Sequence, residues 1–253
     1  MSDAPTRVDL HVKVLDERVV ERAAEAGVDT LVYAPHFTRL PEIRARSRRY
    51  STDEVTVVPA REVFTGDWRN RRHLLALGLS EPVPDFVTYE AALAEFERQE
   101  AAVLVPHPEF MNVSLTRAEV SAYRNRLHAV ETYNAKLFAR QNERGVRISN
   151  AFDVPGFGSS YAHLRGTVGA AWTEFEDDVR DEEALVAALR DRVERTVVKR
   201  SDPATRARRL AEFAHLGIEN SYGKLDRLFL SGMEPTHPRH IAYRGRFDEV
   251  SVY

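Results

Sequence analysis

The chain contains no cysteine. Disulfides, thiolate metal centres and cysteine nucleophiles are therefore excluded, and any metal would have to be held by nitrogen and oxygen. No stretch approaches the ~18 apolar residues of a membrane span, and residues 1–7 are polar, without the apolar centre of a secretion signal. These features predict a soluble, cytoplasmic protein. An excess of one charge is missing too: 36 lysines and arginines face 39 acidic residues, a net charge of −3 at pH 7. That balance gives no global attraction to nucleic acid or anionic membrane, so binding either would need a local patch. There is no internal repeat, low-complexity segment or interdomain linker. With 43% of its 253 residues hydrophobic, the chain can fill one large barrel.

Short apolar runs alternate with helical patterns along most of the sequence. Val103-Leu104-Val105-Pro106-His107-Pro108 is the clearest run: β-branched residues stop at a histidine between two prolines. It reads as a buried parallel strand with the histidine aimed from its C-terminal end, where barrels place their chemistry. Other strands are expected at 8–14, 29–34, 55–60, 73–79, 128–134 and 146–154. The first alternates Val8, Leu10, Val12 and Val14 with Asp9, His11 and Lys13, and in isolation resembles an edge strand with a solvated charged face. Helices are expected at 16–26, capped by Asp16 and Gly27, at 41–50, at 89–98, and after Thr116, where Glu119 completes a capping box. Further helices are expected at 136–143, ended by Gly145, and at 185–198 and 203–216. Seven strands alternating with helices imply an α/β fold, a closed or nearly closed (β/α)7 TIM-like barrel.

His11, His36, Glu62, His107 and His163 fall at or just after strand ends. Imidazoles with a bridging carboxylate suit zinc, manganese or iron, and a cluster of this size can hold one or two such divalent ions. Two ions a few Å apart would support phosphoester hydrolysis, and an aminohydrolase or deacetylase can use the same ligands. His73 and His128 open their strands; His73 is expected to be structural or to support a ligand rather than bind metal directly, and His128 to be structural. The arginines at 44–49 read first as a solvated helix face, as does the acidic run 174–183.

The order of the motifs resembles the PHP (polymerase and histidinol phosphatase) superfamily, whose fold is a distorted seven-stranded barrel. The resemblance rests on Asp9-Leu10-His11-Val12-Lys13, Ala34-Pro35-His36, Ala60-Arg61-Glu62-Val63, Val105-Pro106-His107-Pro108, Val130-Glu131-Thr132-Tyr133-Asn134 and Gly158-Ser159-Ser160-Tyr161-Ala162-His163. It implies a metal-dependent phosphoesterase with His11, His36, Glu62, His107 and His163 as metal ligands. It also implies a barrel core at 1–175 and a PHP-associated C-terminal region, 176–253, that completes the same domain. The chain departs from the family where a second motif-one histidine is replaced by Lys13, where Pro35 stands for an aspartate, and where Ser160-Tyr161 replaces the last motif's aspartate. The loop after motif one is shortened to Leu15-Asp16-Glu17. Lys13 is accordingly expected to supply positive charge in place of one metal and to hold a substrate phosphate, with Arg61 and Arg165 as further phosphate donors. The expected substrate is a small phosphorylated molecule. Two alternatives remain. One is a barrel that has lost its chemistry and binds RNA, like the barrel-folded protein subunit of archaeal ribonuclease P, through arginines at 44–49 and 206–209. The other is a metal-dependent deacetylase or amidase.

Overall fold

A computed structural model describes residues 4–67, 70–110, 113–201 and 235–252. Its first strand, β1 (Thr6–Val12), is followed by α1 (Glu17–Glu25), β2 (Thr30–Tyr33), α2 (Leu40–Tyr50), β3 (Thr56–Thr65) and β4 (Arg72–Leu77). Then come α3 (Tyr89–Arg98), β5 (Ala102–Val105), α4 (Arg117–Tyr123), β6 (Ala129–Asn134), α5 (Ala139–Phe152), β7 (Gly156–Ser159), β8 (Ala171–Phe175), α6 (Glu182–Arg190) and β9 (Arg195–Lys199). The strands form one sheet in the order β7-β6-β5-β4-β3-β2-β1-β8-β9. The sheet curls until its sides meet: Val12 bridges Ala162, and Thr173 Oγ1 accepts from Gly158 N at 2.9 Å across the seam. The result is a nearly closed, distorted barrel.

Three features differ from the sequence expectation. Nine strands are present among the described residues rather than seven, because β8 and β9 add an antiparallel pair beside β1. The strand direction is mixed as well: β4 runs antiparallel to both β3 and β5, while β1–β3 and β5–β7 are parallel sets. Finally, β1 is not an edge strand. It lies between β2 and β8, and Asp9 and His11 are as fully enclosed as Val8, Leu10 and Val12. Val8 and Leu10 pack with Val58 and Ala60 inside the barrel, Asp9 on the other face accepts from Ser160 N and Gly169 N, and an irregularity between Asp9 and Val12 breaks the alternation where His11 reaches Glu62.

Local signals set several boundaries. Asp16 caps α1 through Val19 N, Gly27 leaves that helix at φ +68°, and Thr116 with Glu119 forms the capping box of α4. Residues 146–154, expected as a strand, are mostly the second half of α5, and the strand follows at Gly156–Ser159. The buried positions of α5 include Asn142, Gly145 and Ser149 beside Ile148, so the helical period is carried by small and polar residues. Gly145 does not end the helix. It lets the helix approach β6, where a Cβ would lie 2.2 Å from Glu131 O. Gly145→Ala is expected to cost more than about 3 kcal/mol, because the obstructing atom is backbone and cannot rotate away; a denaturant melt would measure it. The segment 185–198 divides similarly into α6, capped by Asp181, and β9.

Leu185 and Leu189 of α6 pack with Ala102 and Ala129 at the strand starts, filling that end of the barrel. The opposite end is left for polar chemistry. Residues 235–252 lie along the segment after β4: Val250 O accepts from Thr88 N, Val252 N donates to Phe86 O, and Tyr243 and Phe247 enter the core beside Val63 and Leu74. The helix expected at 203–216, with Arg206–Arg209, lies outside the described residues.

Candidate metal centre

Glu62 is the hub of the open end. Alternation along β3 turns its carboxylate inward, and the side chain is fully buried. Lys13 Nζ lies 2.5 Å from Oε2 and also donates to Ala34 O. His36 Nδ1 lies 3.0 Å from the same oxygen. The other oxygen, Oε1, faces His107 Nε2 at 3.1 Å, His73 Nδ1 at 3.4 Å and His11 Nε2 at 3.8 Å. One carboxylate is thus divided between an ammonium and a fan of imidazoles.

His107 is oriented from behind. Its backbone N donates to Glu131 Oε2 at 2.7 Å, and its Nδ1 lies 2.7 Å from Ser114 Oγ, whose own proton goes to Phe110 O. Ser114 therefore accepts from Nδ1–H, which leaves Nε2 facing Glu62 Oε1 at 3.1 Å, a separation that a proton on the ring or a metal ion between the two atoms would bridge. Glu131 is itself held by Asn134 and Ser159. Partners behind a ligand in this way fix its ring and tautomer.

Electrostatics favour a cation in the same place. Burial, then the charge of Lys13, holds His11 well below the ordinary imidazole range and His36 at about 3; burial also lowers His73. Burial alone would raise Glu62, but the Lys13 ammonium and the nearby imidazoles outweigh it and keep the carboxyl well below its usual range. Both ring nitrogens of His11 and of His73 are buried without a hydrogen-bond partner, which is costly unless something else engages them. Glu62, His73 and His107 each offer a ligand atom, and these atoms lie within 4.8 Å of one another. The donor set fits a divalent transition metal.

The sign of the histidine shifts makes a prediction. These groups are neutral in the fold, so their contribution is complete above an unfolded pKa near 6.5 and is lost as pH falls toward their lowered folded values. Stability should drop between pH 6.5 and 4 by about 1.4 kcal/mol per pH unit for each histidine that must take up a proton on unfolding. Denaturant melts across that range would check this.

Of the residues expected from sequence, His11, His36, Glu62, His107 and Lys13 converge. His163 stands to one side: its Nδ1 lies 2.8 Å from Lys136 Nζ and 3.0 Å from Tyr161 O, and its ring centre is 5.9 Å from that of His36. Arg61 and Arg165 do not join. Arg61 follows the opposite face of β3 and is buried against Asp85 and Thr38 O, while Arg165 pairs with Asp16 in an exposed position. Adjacency to Glu62 in sequence placed Arg61 on the wrong side of a strand. Arg44 and Arg46, in the arginine-rich helix, are tied to Glu182, Leu79 O and Leu15 O.

Three neighbours escaped the sequence reading. His73 opens β4, but because β4 is antiparallel it lies opposite Phe64 at the end of β3, stacked on that ring at 3.9 Å. Tyr161 packs between His11, His107 and His163, with ring centres 4.6, 5.4 and 4.8 Å away. Lys136 is buried in the turn after β6. The backbone around them is strained: Phe37, His107 and Tyr161 have φ of 51°, 34° and 48°. Each such residue costs roughly 1–3 kcal/mol, and residues of this kind gather at functional sites. His128 is structural, as expected, and accepts from Val103 N.

In sequence, residues 139–193 match the family model described as PHP-associated. No curated protein matches the chain. In fold it is similar to PsfC from Pseudomonas syringae, at TM-score 0.62 and 17% identity over 87% of this chain and 98% of that one. It is also similar to a Bifidobacterium adolescentis protein provisionally described as a metal-dependent phosphoesterase, at TM-score 0.51 and 13% identity over 74% and 96% of the two chains. A third similar structure is the lesion-specific endonuclease PfuEndoQ from Pyrococcus furiosus, at TM-score 0.54 and 12% identity over 76% of this chain and 57% of that one.

Proposed function

Starting from a PHP-superfamily chain, recognised in its barrel and in its 139–193 match, we propose that it is a metal-dependent hydrolase of phosphoesters with a single principal metal position. The observation that carries this reading is the division of the Glu62 carboxylate. Oε1 points to His73 and His107, with His11 behind, and is open to a cation; Oε2 is held by Lys13. Glu62, His73 and His107 would hold the ion, and His11 would complete the donor set. When bound, a divalent ion there supplies an activated water and neutralises charge on a phosphoryl oxygen.

The chain's own residues do the rest. Ser114 and Glu131 keep His107 turned toward Glu62, while burial of the cluster excludes bulk water and strengthens each charge–charge interaction. Lys13 neutralises Glu62 and presents positive charge beside His36, whose side chain, 23% exposed, is the most open of those around Glu62. Substrate would enter from that side and bring its phosphate to Lys13. Zinc or manganese, one equivalent per chain, is the expected content by elemental analysis. A metal-loaded sample should hydrolyse members of a panel of phosphomonoesters and phosphodiesters. If amides alone were cleaved, the substrate class would change and the ligand set would stand; if nothing were cleaved, the hydrolase reading would fall. The competing reading, a barrel without catalysis, draws on Lys13 having taken one oxygen of Glu62, and would be favoured by a protein that retains no metal.

A further inference from the structure

Arg61 and Asp85 form a second ionic centre behind β3, on the side away from the Glu62 carboxylate. Both side chains are buried, and Arg61 Nη2 lies 3.0 Å from Asp85 Oδ1. The pair is poorly made for stability alone. Arg61 Nε and Asp85 Oδ2 are buried without a hydrogen-bond partner among the described residues, and well-packed apolar side chains often serve a core as well as a buried ion pair does. Its attachments account for it better. Asp85 Oδ1 also accepts from Phe64 N at 2.9 Å, and Phe86 N donates to Phe64 O, so residues 85 and 86 hold the backbone of Phe64 along one edge. His73 faces Phe64 across β3 and β4 and gives its own N–H to Val113 O. The two are therefore a non-hydrogen-bonded pair, the kind in which cross-strand side chains come closest. Their rings lie 3.9 Å apart and within 7° of parallel, and the Phe64 ring is 5.1 Å from that of His36. Arg61 bears on His36 by a second route: Nη1 donates to Thr38 O at 2.9 Å, and Thr38 Oγ1 donates to His36 O at 3.1 Å. Asp85 is fixed in turn by the C-terminal segment, its N donating to Thr236 O at 2.9 Å.

We propose that Arg61 and Asp85 are positioning residues for the metal centre: Asp85 sets the ring of His73 through Phe64, and Arg61 sets His36 through the Thr38 turn. Neither touches metal or substrate. The pair reaches two of the imidazoles around Glu62 from behind, by fixing one backbone point beside each. That these rings serve a metal rests on the hydrolase reading; that the pair sets them does not.

The test uses the full chain, isotope-labelled in its histidine rings and treated with chelator, so that the ring resonances of His36, His73 and His128 are read without metal. Asp85→Ala should move those of His36 and His73 and leave those of His128, which is held by Val103 N at the other end of the barrel. Arg61→Met combined with Asp85→Asn removes both charges and keeps an oxygen for Phe64 N, so in that variant His36 should move and His73 should not. Zinc, added back, should bind Asp85→Ala at least about ten-fold more weakly than the parent chain, the usual loss when the support behind a metal ligand is removed. Rings of His36 and His73 that keep their parent resonances, or that move together with His128, would overturn the proposal, as would parent-like zinc affinity in folded Asp85→Ala. If that variant does not fold, the double variant decides alone, and a stationary His36 overturns the pair. A parent chain that takes up no zinc would remove the hydrolase reading, and the ring resonances would still decide the pair.

Discussion

Glu62→Gln is expected to release the bound metal, to bring phosphoester hydrolysis to background, and to destabilise the fold. The amide has the size of the carboxylate but no charge, and its NH2 end cannot serve as a ligand. Whichever way it turns, it fails one side: toward Lys13 it removes the carboxylate charge the ammonium touches, and toward His107 and His73 it offers one neutral oxygen or none. Lys13 is 8% exposed and loses the carboxylate it touches at 2.5 Å. Breaking a buried pair by removing one partner costs about 3–5 kcal/mol. Elemental analysis and a denaturant melt read the two effects separately. Adding Lys13→Met to Glu62→Gln should recover most of the stability without recovering metal, because it removes the stranded charge but restores no ligand. Full metal content in Glu62→Gln would mean that the ion is held elsewhere.

The hub and three of its neighbours were legible because each lies near or beyond the end of a parallel-paired stretch, Glu62 included, since β3 pairs with β2 over Thr56–Pro59 and runs on to Thr65. His11, His36, Glu62 and His107 are positioned by β1, β2, β3 and β5, and in such strands sequence order and spatial face agree. His73 was hidden for the complementary reason. A reversed strand brings its first residue to the chemical end, and strand direction is set by pairing between distant segments, which periodicity does not report. Lys136 follows β6 by two residues in a turn, where nothing local distinguishes a buried lysine from a solvated one. Arg61 failed on alternation, and the second half of α5 because Gly145 and Ser149 occupy positions where apolar residues would have revealed the helical period. Long-range pairing was the missing information in the first two cases; close packing was in the last.

Lys13→His is expected to add a second equivalent of metal. The ammonium occupies a place already built for a cation: one oxygen of Glu62 and the carbonyl of Ala34 both contact it, with His36 Nδ1 on the same carboxylate oxygen. His11 near the end of β1 and Lys13 just beyond it both reach Glu62, so the imidazole introduced at position 13 would stand near His11, whose ring nitrogens are buried without hydrogen bonds. At 4 Å and an effective dielectric of 20, a unit charge repels a divalent ion by roughly 8 kcal/mol, so removing the ammonium is the larger part of the change and the added ligand the smaller. Lys13→Met separates the two: it removes repulsion without adding a donor, and should show intermediate metal uptake. Elemental analysis after dialysis against zinc would count the ions. If Lys13→His holds no more metal than the parent chain, the ammonium does not stand in for a metal, and its contact with Glu62 is a structural ion pair. If it gains an ion but loses turnover, Lys13 is the group that receives the substrate's phosphate, and this barrel has exchanged a metal for a lysine without giving up positive charge at that point.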